Sequence, residues 1–336
     1  MSGPGAGRAQ TNRQSPTRRV ARDAVWSGYL VGLVATIYTA GLPTSRAYQA
    51  VWILAGIAAF TIDRPWRNHL RILADWLPLL GALVLYDYTR GFADELGMPL
   101  RMTELAAVER GLFNGTIPTV WLQQRLAADG QPWWTPVTGA VYSTHFIVPW
   151  LLAAIFYVRS RPLWARYMRR ILILSYLGLA TYILLPAAPP WYASREGVIT
   201  EGVDRIAGFG FGMIPIDTST QWLEAQGNHV AALPSLHTAF ALLVTVTLWP
   251  LLTNSWLRAV LAIFPLSMTF TLVYGGEHYM VDVLSGWAYA VLTIMLAVAW
   301  ERRSRRASTV HNATGSDGAL SVSEPTMHTV SPESPD

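Results

Sequence analysis

Long apolar segments follow one another along the whole of this 336-residue chain. A membrane-spanning helix needs about 20 predominantly apolar residues. Candidate spans cover residues 24–42, 48–63, 71–88, 136–158, 169–186, 234–252, 257–274 and 281–300. The second and the fifth are short, so six or seven spans remain alternatives to eight. The pattern predicts an all-α, polytopic membrane helix bundle.

Polar segments divide the chain into three parts. Residues 1–22 form a basic arm and residues 304–336 a tail rich in Ser, Thr, Glu and Pro. Both compositions are typical of disorder, which leaves residues 23–303 as the transmembrane domain. Within it, the amphipathic stretch 103–128 indicates a surface or re-entrant segment. The Gly- and Pro-rich loop 187–233 is long enough to indicate a functional role.

The first apolar run has two interpretations. Residues 24–42 follow a basic region, as the apolar part of a signal peptide would. That basic region is long, however, and no clear cleavage site follows it. A retained first helix is therefore the preferred interpretation.

Composition excludes several classes of site. Only 14% of the residues are charged, which is low for a soluble domain. Cysteine is absent, which excludes disulfides, a thiolate nucleophile and a thiolate metal site. The net charge of +4 comes mainly from Arg residues beside the apolar segments, so it does not indicate nucleic-acid binding. The partners that we expect are the membrane and a lipid.

The placement of Arg predicts the orientation of the chain. With eight spans, 18 Arg residues lie on the side of the termini and 7 on the opposite side. Cytoplasmic loops of membrane proteins carry the excess of Arg and Lys. We therefore expect an integral protein of a bacterial plasma membrane with both termini in the cytoplasm. Both stretches described next would then lie on the extracytoplasmic face.

His278 and Asp282 are four residues apart at the start of the last apolar segment. Side chains at this spacing share a helix face, where the carboxylate can fix the tautomer of the imidazole. The other ring nitrogen is then available for nucleophilic attack. An interfacial His–Asp pair that only caps the helix is an equally weighted interpretation.

The stretch Pro234-Ser235-Leu236-His237 begins the sixth span. Ser235 is a suitable N-cap, and unpaired N–H groups at a helix N-terminus can bind an anion. His237 then lies on the first helical turn. Alone, the tetrapeptide is weak evidence, because an ordinary helix start that carries an interfacial histidine has the same pattern.

Together, the two stretches resemble the type 2 phosphatidic acid phosphatase superfamily, in particular the branch of inositol phosphorylceramide synthases and their bacterial relatives. That branch carries Pro-Ser-Leu-His, then His-Tyr-x-x-Asp, as at His278, Tyr279 and Asp282. The segment 186–192 is similar to its Pro-Pro-Trp-Tyr motif. The resemblance covers about residues 75–300.

The resemblance implies a lipid phosphatase or phospho-head-group transferase that works through a phosphohistidine. It implies His278 as nucleophile, Asp282 as the group that orients it and His237 as general acid and base. The N–H groups at Ser235 would help to hold the phosphate. Residues expected to line the substrate site are Tyr279, Trp191, Tyr192 and His145. For His145, a satisfied interior histidine is the favoured alternative.

The chain departs from the superfamily at its basic positions. The first signature normally begins with Lys, which this chain lacks, and Leu272 stands where soluble members carry an Arg before the third signature. Arg90 is the first candidate for the phosphate-binding cation, and a plain basic helix end is its alternative. Arg195 and Arg205 in the long loop are lower-ranked substitutes.

The sequence is compatible with several functions. Water as acceptor would make the protein a phosphatase, and an alcohol or lipid acceptor would make it a transferase. The rival class is a non-enzymatic transporter or scaffold that retains the fold. We expect no cofactor and no metal, although His237, His278 and Asp282 are residue types that can bind one.

Overall fold

The computed structural model describes residues 16–40, 46–93, 95–206, 228 and 230–319. These residues form eleven α-helices and one 3-10 turn, Trp249–Leu251, with no strand among them beyond isolated bridges. The helices are α1 Pro16–Ala40, α2 Arg46–Phe60, α3 Trp66–Gly91, α4 Thr103–Leu112, α5 Pro118–Leu126, α6 Thr135–Arg159, α7 Arg161–Leu184, α8 Pro190–Arg195, α9 Leu236–Leu248, α10 Ser255–Tyr274 and α11 Met280–Ala319. The prediction of an all-α membrane helix bundle is confirmed.

Five helices in the described part of the chain are long and apolar enough to cross a membrane. They cover Arg19–Thr39, Trp66–Gly91, Thr135–Arg159, Ser255–Tyr274 and Met280–Arg306. Two shorter apolar helices, Tyr48–Phe60 and Leu236–Leu251, coincide with two further candidate spans. The remaining candidate, 169–186, covers the C-terminal part of α7 and the two residues after it, and the first turns of α7 carry several Arg residues.

The polar ends are described only in part. Residues 16–22 of the basic arm belong to α1, and residues 304–319 of the tail belong to α11. Residues 1–15 and 320–336 lie outside the described residues. The chain divides into two compact units, Met1–Thr293 and Ile294–Asp336, and the site described below lies entirely within the first.

The stretch 103–128 forms two short helices, α4 and α5, joined by a turn at Asn114 and Gly115. Both turn residues have positive φ angles, and Pro118 occupies the first turn of α5. One face of each helix packs into a buried apolar cluster with the segment after α7. The cluster comprises Leu105, Ala106, Ile117, Val120, Ala187, Ala193, Ile199, Ala232 and Tyr279. The segment 103–128 is thereby packed against the residue that follows His278.

Polar contacts fix the described first part of the long loop to these two helices. The Arg110 guanidinium on α4 lies 3.0 Å from both carboxylate oxygens of Glu201 and holds the pKa of Glu201 below its usual range. The side chain of Gln123 on α5 exchanges two hydrogen bonds with the backbone of Asp204, and it also donates to the carbonyl of Tyr274 at 2.7 Å. Residues 196–206 are thus positioned next to the end of α10.

Candidate active site

The Pro-Ser-Leu-His stretch begins α9 with a capped N-terminus, as the sequence predicts. The Ser235 hydroxyl accepts a hydrogen bond from the backbone N–H of Thr238 at 3.5 Å. The Tyr182 hydroxyl on α7 donates to the carbonyl of Pro234 at 2.9 Å. Ser235 is fully buried, so its side chain belongs to the cap, and His237 projects from the first turn of α9.

The start of α9 is held directly against α11. The backbone N–H of Ser235 donates to the carbonyl of Asp282 at 3.0 Å. At Gly286 the two helices approach so closely that a Cβ atom would lie 2.2 Å from the Ser235 carbonyl oxygen. This contact requires glycine, and it fixes His237 relative to the His-x-x-x-Asp stretch.

His278 and Asp282 form a pair at the start of α11. His278 Nδ1 lies 3.5 Å from Asp282 Oδ2, and the same oxygen accepts the backbone N–H of Tyr279 at 2.9 Å. Asp282 is fully buried and His278 is only 6% exposed. A carboxylate beside Nδ1 favours the tautomer with a proton on that nitrogen, which leaves Nε2 as the nucleophilic atom.

The two histidine stretches meet at one cavity, whose empty space together with its open mouth is about 1030 Å³. The rings of His237 and His278 line it with their centroids 5.8 Å apart. Among the described residues, the buried Nε2 of His237 has no hydrogen-bond partner. The cavity therefore presents two imidazoles at a separation that one phosphoryl group could bridge.

Aromatic rings surround His237 on the α6 side. The Tyr142 ring stacks on His237 with a centroid distance of 4.8 Å, and the His145 ring lies 4.0 Å away. Because His145 contacts His237 and lines the cavity, it lies at the site and not elsewhere in the bundle.

The three candidate cations have different surroundings. Arg90, at the end of α3, lines the cavity, and its carbonyl accepts a hydrogen bond from the Asn228 side chain at 2.7 Å. Arg205 also lines it, stacked over Trp191 and paired with Glu277 at 2.7 Å. Arg195 is not part of the cavity wall; it pairs with Glu196 and lies over the ring of Tyr192.

Of the residues expected to contact substrate, some line the cavity and others lie outside it. Trp191 lines the cavity together with His145, whereas Tyr192 lies outside its wall. Tyr279 is fully buried in the apolar cluster formed with α4 and α5. Its ring therefore supports the backbone of the His-x-x-x-Asp stretch from behind.

Comparison with known proteins identifies the family. The sequence profile of the PAP2 superfamily matches residues 103–296, more than half of the chain. The chain belongs to the PAP2 superfamily. No solved structure matches it significantly.

Two relatives place this PAP2 protein in a branch. It is 27% identical over 221 residues to the phosphoinositol dihydroceramide synthase of Bacteroides thetaiotaomicron, which covers 62% of this chain and 71% of the relative. It is 21% identical over 294 residues to the inositol phosphorylceramide synthase catalytic subunit aur1 of Schizosaccharomyces pombe, which covers 84% and 67%. The resemblance to this branch is confirmed, and the protein is a membrane lipid phosphatase or phosphotransferase.

Part of the cavity comes from outside the PAP2 match. Arg90 on α3 and Gln49 on α2 both line it, although the match begins at residue 103. Other lining residues that sequence reasoning missed are Tyr86, Asp87, Tyr182, Asn228 and Glu277. Glu277 directly precedes His278, so its position in the sequence was a usable signal. Tyr86 and Asp87 precede Arg90 by four and three residues on α3, a spacing that places them on its face. No local pattern marks Tyr182 or Asn228.

The donor groups of this PAP2 site suit a phosphate. Two cationic side chains, three imidazoles and the N-terminus of α9 converge on one cavity, and such groups bind phosphate oxygens and stabilise charge developing on them. Within the described residues, no group of three or more His, Asp or Glu side chains is arranged to hold a metal ion.

Proposed function

We propose that the protein transfers a phosphorylated head group from one lipid to a hydroxyl acceptor through a phosphohistidine at His278. The observation that carries this proposal is the shared cavity, in which His237, His278 and Arg90 face one space. The names of the two relatives, both head-group synthases, favour an alcohol acceptor over water.

In the first step, Nε2 of His278 attacks the phosphorus atom of the donor lipid. The P–N bond forms as the bond from phosphorus to the leaving oxygen breaks. His237 donates a proton to that oxygen, so the donor lipid departs as a neutral alcohol. Asp282 beside Nδ1 stabilises the positive charge that develops on the imidazole of His278.

In the second step, the acceptor hydroxyl attacks the phosphohistidine. His237, now deprotonated, removes the hydroxyl proton while the P–N bond breaks and returns the electron pair to His278. Arg90 and the N–H groups at the start of α9 stabilise the negative charge on the phosphoryl oxygens in both steps. Water in place of the acceptor would give hydrolysis at the same site.

The test uses purified protein in mixed lipid micelles with a radiolabelled phospho-head-group lipid. Acid lability and alkali stability of the trapped label identify a phosphohistidine. His278→Ala should abolish both labelling and turnover. His69→Ala is the matched control, because His69 is 21 residues before Arg90 on α3, about 31 Å along the helix at 1.5 Å per residue.

Assays with and without an alcohol acceptor distinguish transfer from hydrolysis. Formation of a new labelled lipid only when an alcohol acceptor is added supports transfer. Release of phosphate or phospho-head group without an acceptor supports hydrolysis. Full activity of His278→Ala would remove His278 as the nucleophile, and absence of turnover with a broad lipid panel would favour the non-enzymatic transporter or scaffold.

The orientation is part of the proposal. Both termini lie in the cytoplasm, and the cavity opens on the extracytoplasmic side of a bacterial plasma membrane. The excess of Arg on the terminal side supports this orientation. Tags on either terminus should resist external protease in intact cells, and cleavage of either tag would overturn it.

A further inference from the structure

A second cavity lies between α1, α2 and α6, and its empty space together with its open side is about 1210 Å³. Its walls are almost entirely apolar, and they include Trp26, Tyr29, Trp52, Ile53, Ile147 and Ile155. We call it the α1–α2–α6 groove. The steps proposed above make no use of it.

The groove adjoins the catalytic cavity. Gln49, Phe146 and Trp150 line both spaces, so they form the boundary between them. Gln49 and Trp150 are buried, and the Gln49 side chain donates to the carbonyl of Phe146 at 2.7 Å. A molecule with a polar and an apolar end could therefore occupy both spaces at once.

The dimensions of the groove fit a hydrocarbon chain. Its α6 wall extends from Phe146 to Arg159, which is 13 residues or about 20 Å along the helix axis. One leaflet contributes about half of the 30 Å hydrocarbon core, roughly 15 Å. The groove is long enough to hold a chain of that length.

Specific contacts hold the groove together. The Tyr29 hydroxyl on α1 donates to the carbonyl of Trp52 on α2 at 3.0 Å. Gly56 lets the Tyr29 ring approach α2 closely, since a Cβ atom there would lie 2.8 Å from the hydroxyl oxygen. Both helices precede the region matched by the PAP2 profile, whereas α6 lies within it.

We propose that the α1–α2–α6 groove binds one hydrocarbon chain of the lipid whose phosphorylated head group enters the catalytic cavity. This proposal rests on the proposed function for the head group, and it locates where the hydrocarbon chain of that lipid binds. The mainly apolar walls favour a hydrocarbon occupant, and the shared boundary at Gln49 and Trp150 joins chain to head group.

A substitution that fills part of the groove tests the proposal through its effect on turnover. Ala154 lines the groove but not the catalytic cavity, so Ala154→Phe shortens the space for the chain. The Phe side chain should displace two methylene groups of the lipid chain from the groove. The lost burial should raise KM and so lower kcat/KM for a long-chain donor lipid about 15-fold. A short-chain, water-soluble analogue should be turned over as by the wild type. Ala140→Phe is the matched control, because Ala140 is exposed on α6 and lines neither cavity.

A binding measurement keeps this test separate from the catalytic proposal. A long-chain phospholipid with a photoreactive group near the chain end is crosslinked to His278→Ala in micelles, and the labelled peptides are identified. Crosslinks to α1, α2 or the C-terminal half of α6 support the groove whether or not turnover occurs. They should disappear when Ala154→Phe is combined with His278→Ala. Two results would overturn the proposal. One is equal crosslinking by a photoreactive hydrocarbon that has no head group. The other is an equal loss of kcat/KM in Ala154→Phe for the long-chain lipid and for the short-chain analogue.

Discussion

The carboxylate of Glu109 caps the helix that carries Asp282. One oxygen accepts the backbone N–H of Met280 at 2.8 Å, and the other accepts the N–H of Val281 at 3.2 Å. Met280 is the first residue of α11, where N–H groups lack intrahelical partners and negative charge is favourable. Glu109 belongs to α4, so a separate helix fixes the backbone just after His278.

Replacing Glu109 by Gln should reduce turnover. The amide retains one acceptor oxygen but directs an NH2 group towards the second backbone N–H, which weakens the hold on α11. We expect kcat to fall about tenfold and the protein to lose about 1–3 kcal/mol of stability. The control is Glu104→Gln on the same helix, where the exposed carboxylate pairs with Arg101. Equal activity of the two variants would contradict a positioning role.

The pH dependence of stability gives a second signature of Glu109. Burial raises the pKa of this carboxyl above its usual value of about 4.5. The stability that such a group contributes is fully present below the unfolded pKa and is lost as pH rises through the folded pKa. The Tm of the wild type should therefore fall relative to that of Glu109→Gln as pH rises through the raised pKa. Parallel Tm curves for the two proteins would exclude this titration.

Asp282→Asn should leave the fold intact and remove most of the activity. The buried carboxylate faces His278 Nδ1, and an amide there favours the wrong tautomer. We expect kcat to fall by about 10³–10⁴, as for other carboxylate–histidine pairs. Asp129→Asn, at an exposed position before α6, should behave as wild type. A loss in Asp282→Asn that appears only in KM would argue against an orienting role.

Local spacing explains why the centre of the site could be predicted. Ser235, His237, His278 and Asp282 lie in two short stretches at helix starts, where helix geometry predicts a shared face or a cap. That geometry leaves ordinary helix starts as alternatives, and the resemblance of the two stretches together to the superfamily supplies the catalytic roles. Glu109 has no such signal, because its backbone partners lie 171 and 172 residues away in the sequence. Contacts of this kind depend on tertiary packing.

The side chains that line the cavity also depend on tertiary packing. Trp191 and Tyr192 are neighbours in one motif, yet only Trp191 lines the cavity, because α8 directs adjacent side chains to different sides. Tyr279 follows His278 directly but packs into the cluster with α4 and α5. A motif identifies the segment, whereas the orientation of each side chain requires the fold.

Gly286→Ala should separate the two halves of the site. The new Cβ would lie 2.2 Å from the Ser235 carbonyl oxygen and 2.6 Å from Thr238 Oγ1, so α11 must move away from α9. Overpacking of this kind costs about 1–3 kcal/mol, and turnover should fall because His237 and His278 are displaced. In Gly81→Ala, where nothing lies within 4 Å of the added methyl, activity should be unchanged. Wild-type kcat in Gly286→Ala would show that this contact does not set the site geometry.

Arg90 and Arg205 both line the cavity, but their substitutions should differ. Removing a preorganised donor to a developing oxyanion costs about 10²–10³ in kcat, and we expect this loss for Arg90→Ala. Arg205→Ala leaves Glu277 without its cation in the cavity wall, so repulsion of an anionic substrate should appear mainly in KM. Arg195→Ala, outside the wall, is the control. Steady-state kinetics on one phospho-head-group lipid compare all three, and an Arg90→Ala variant as active as Arg195→Ala would assign the phosphate to Arg205.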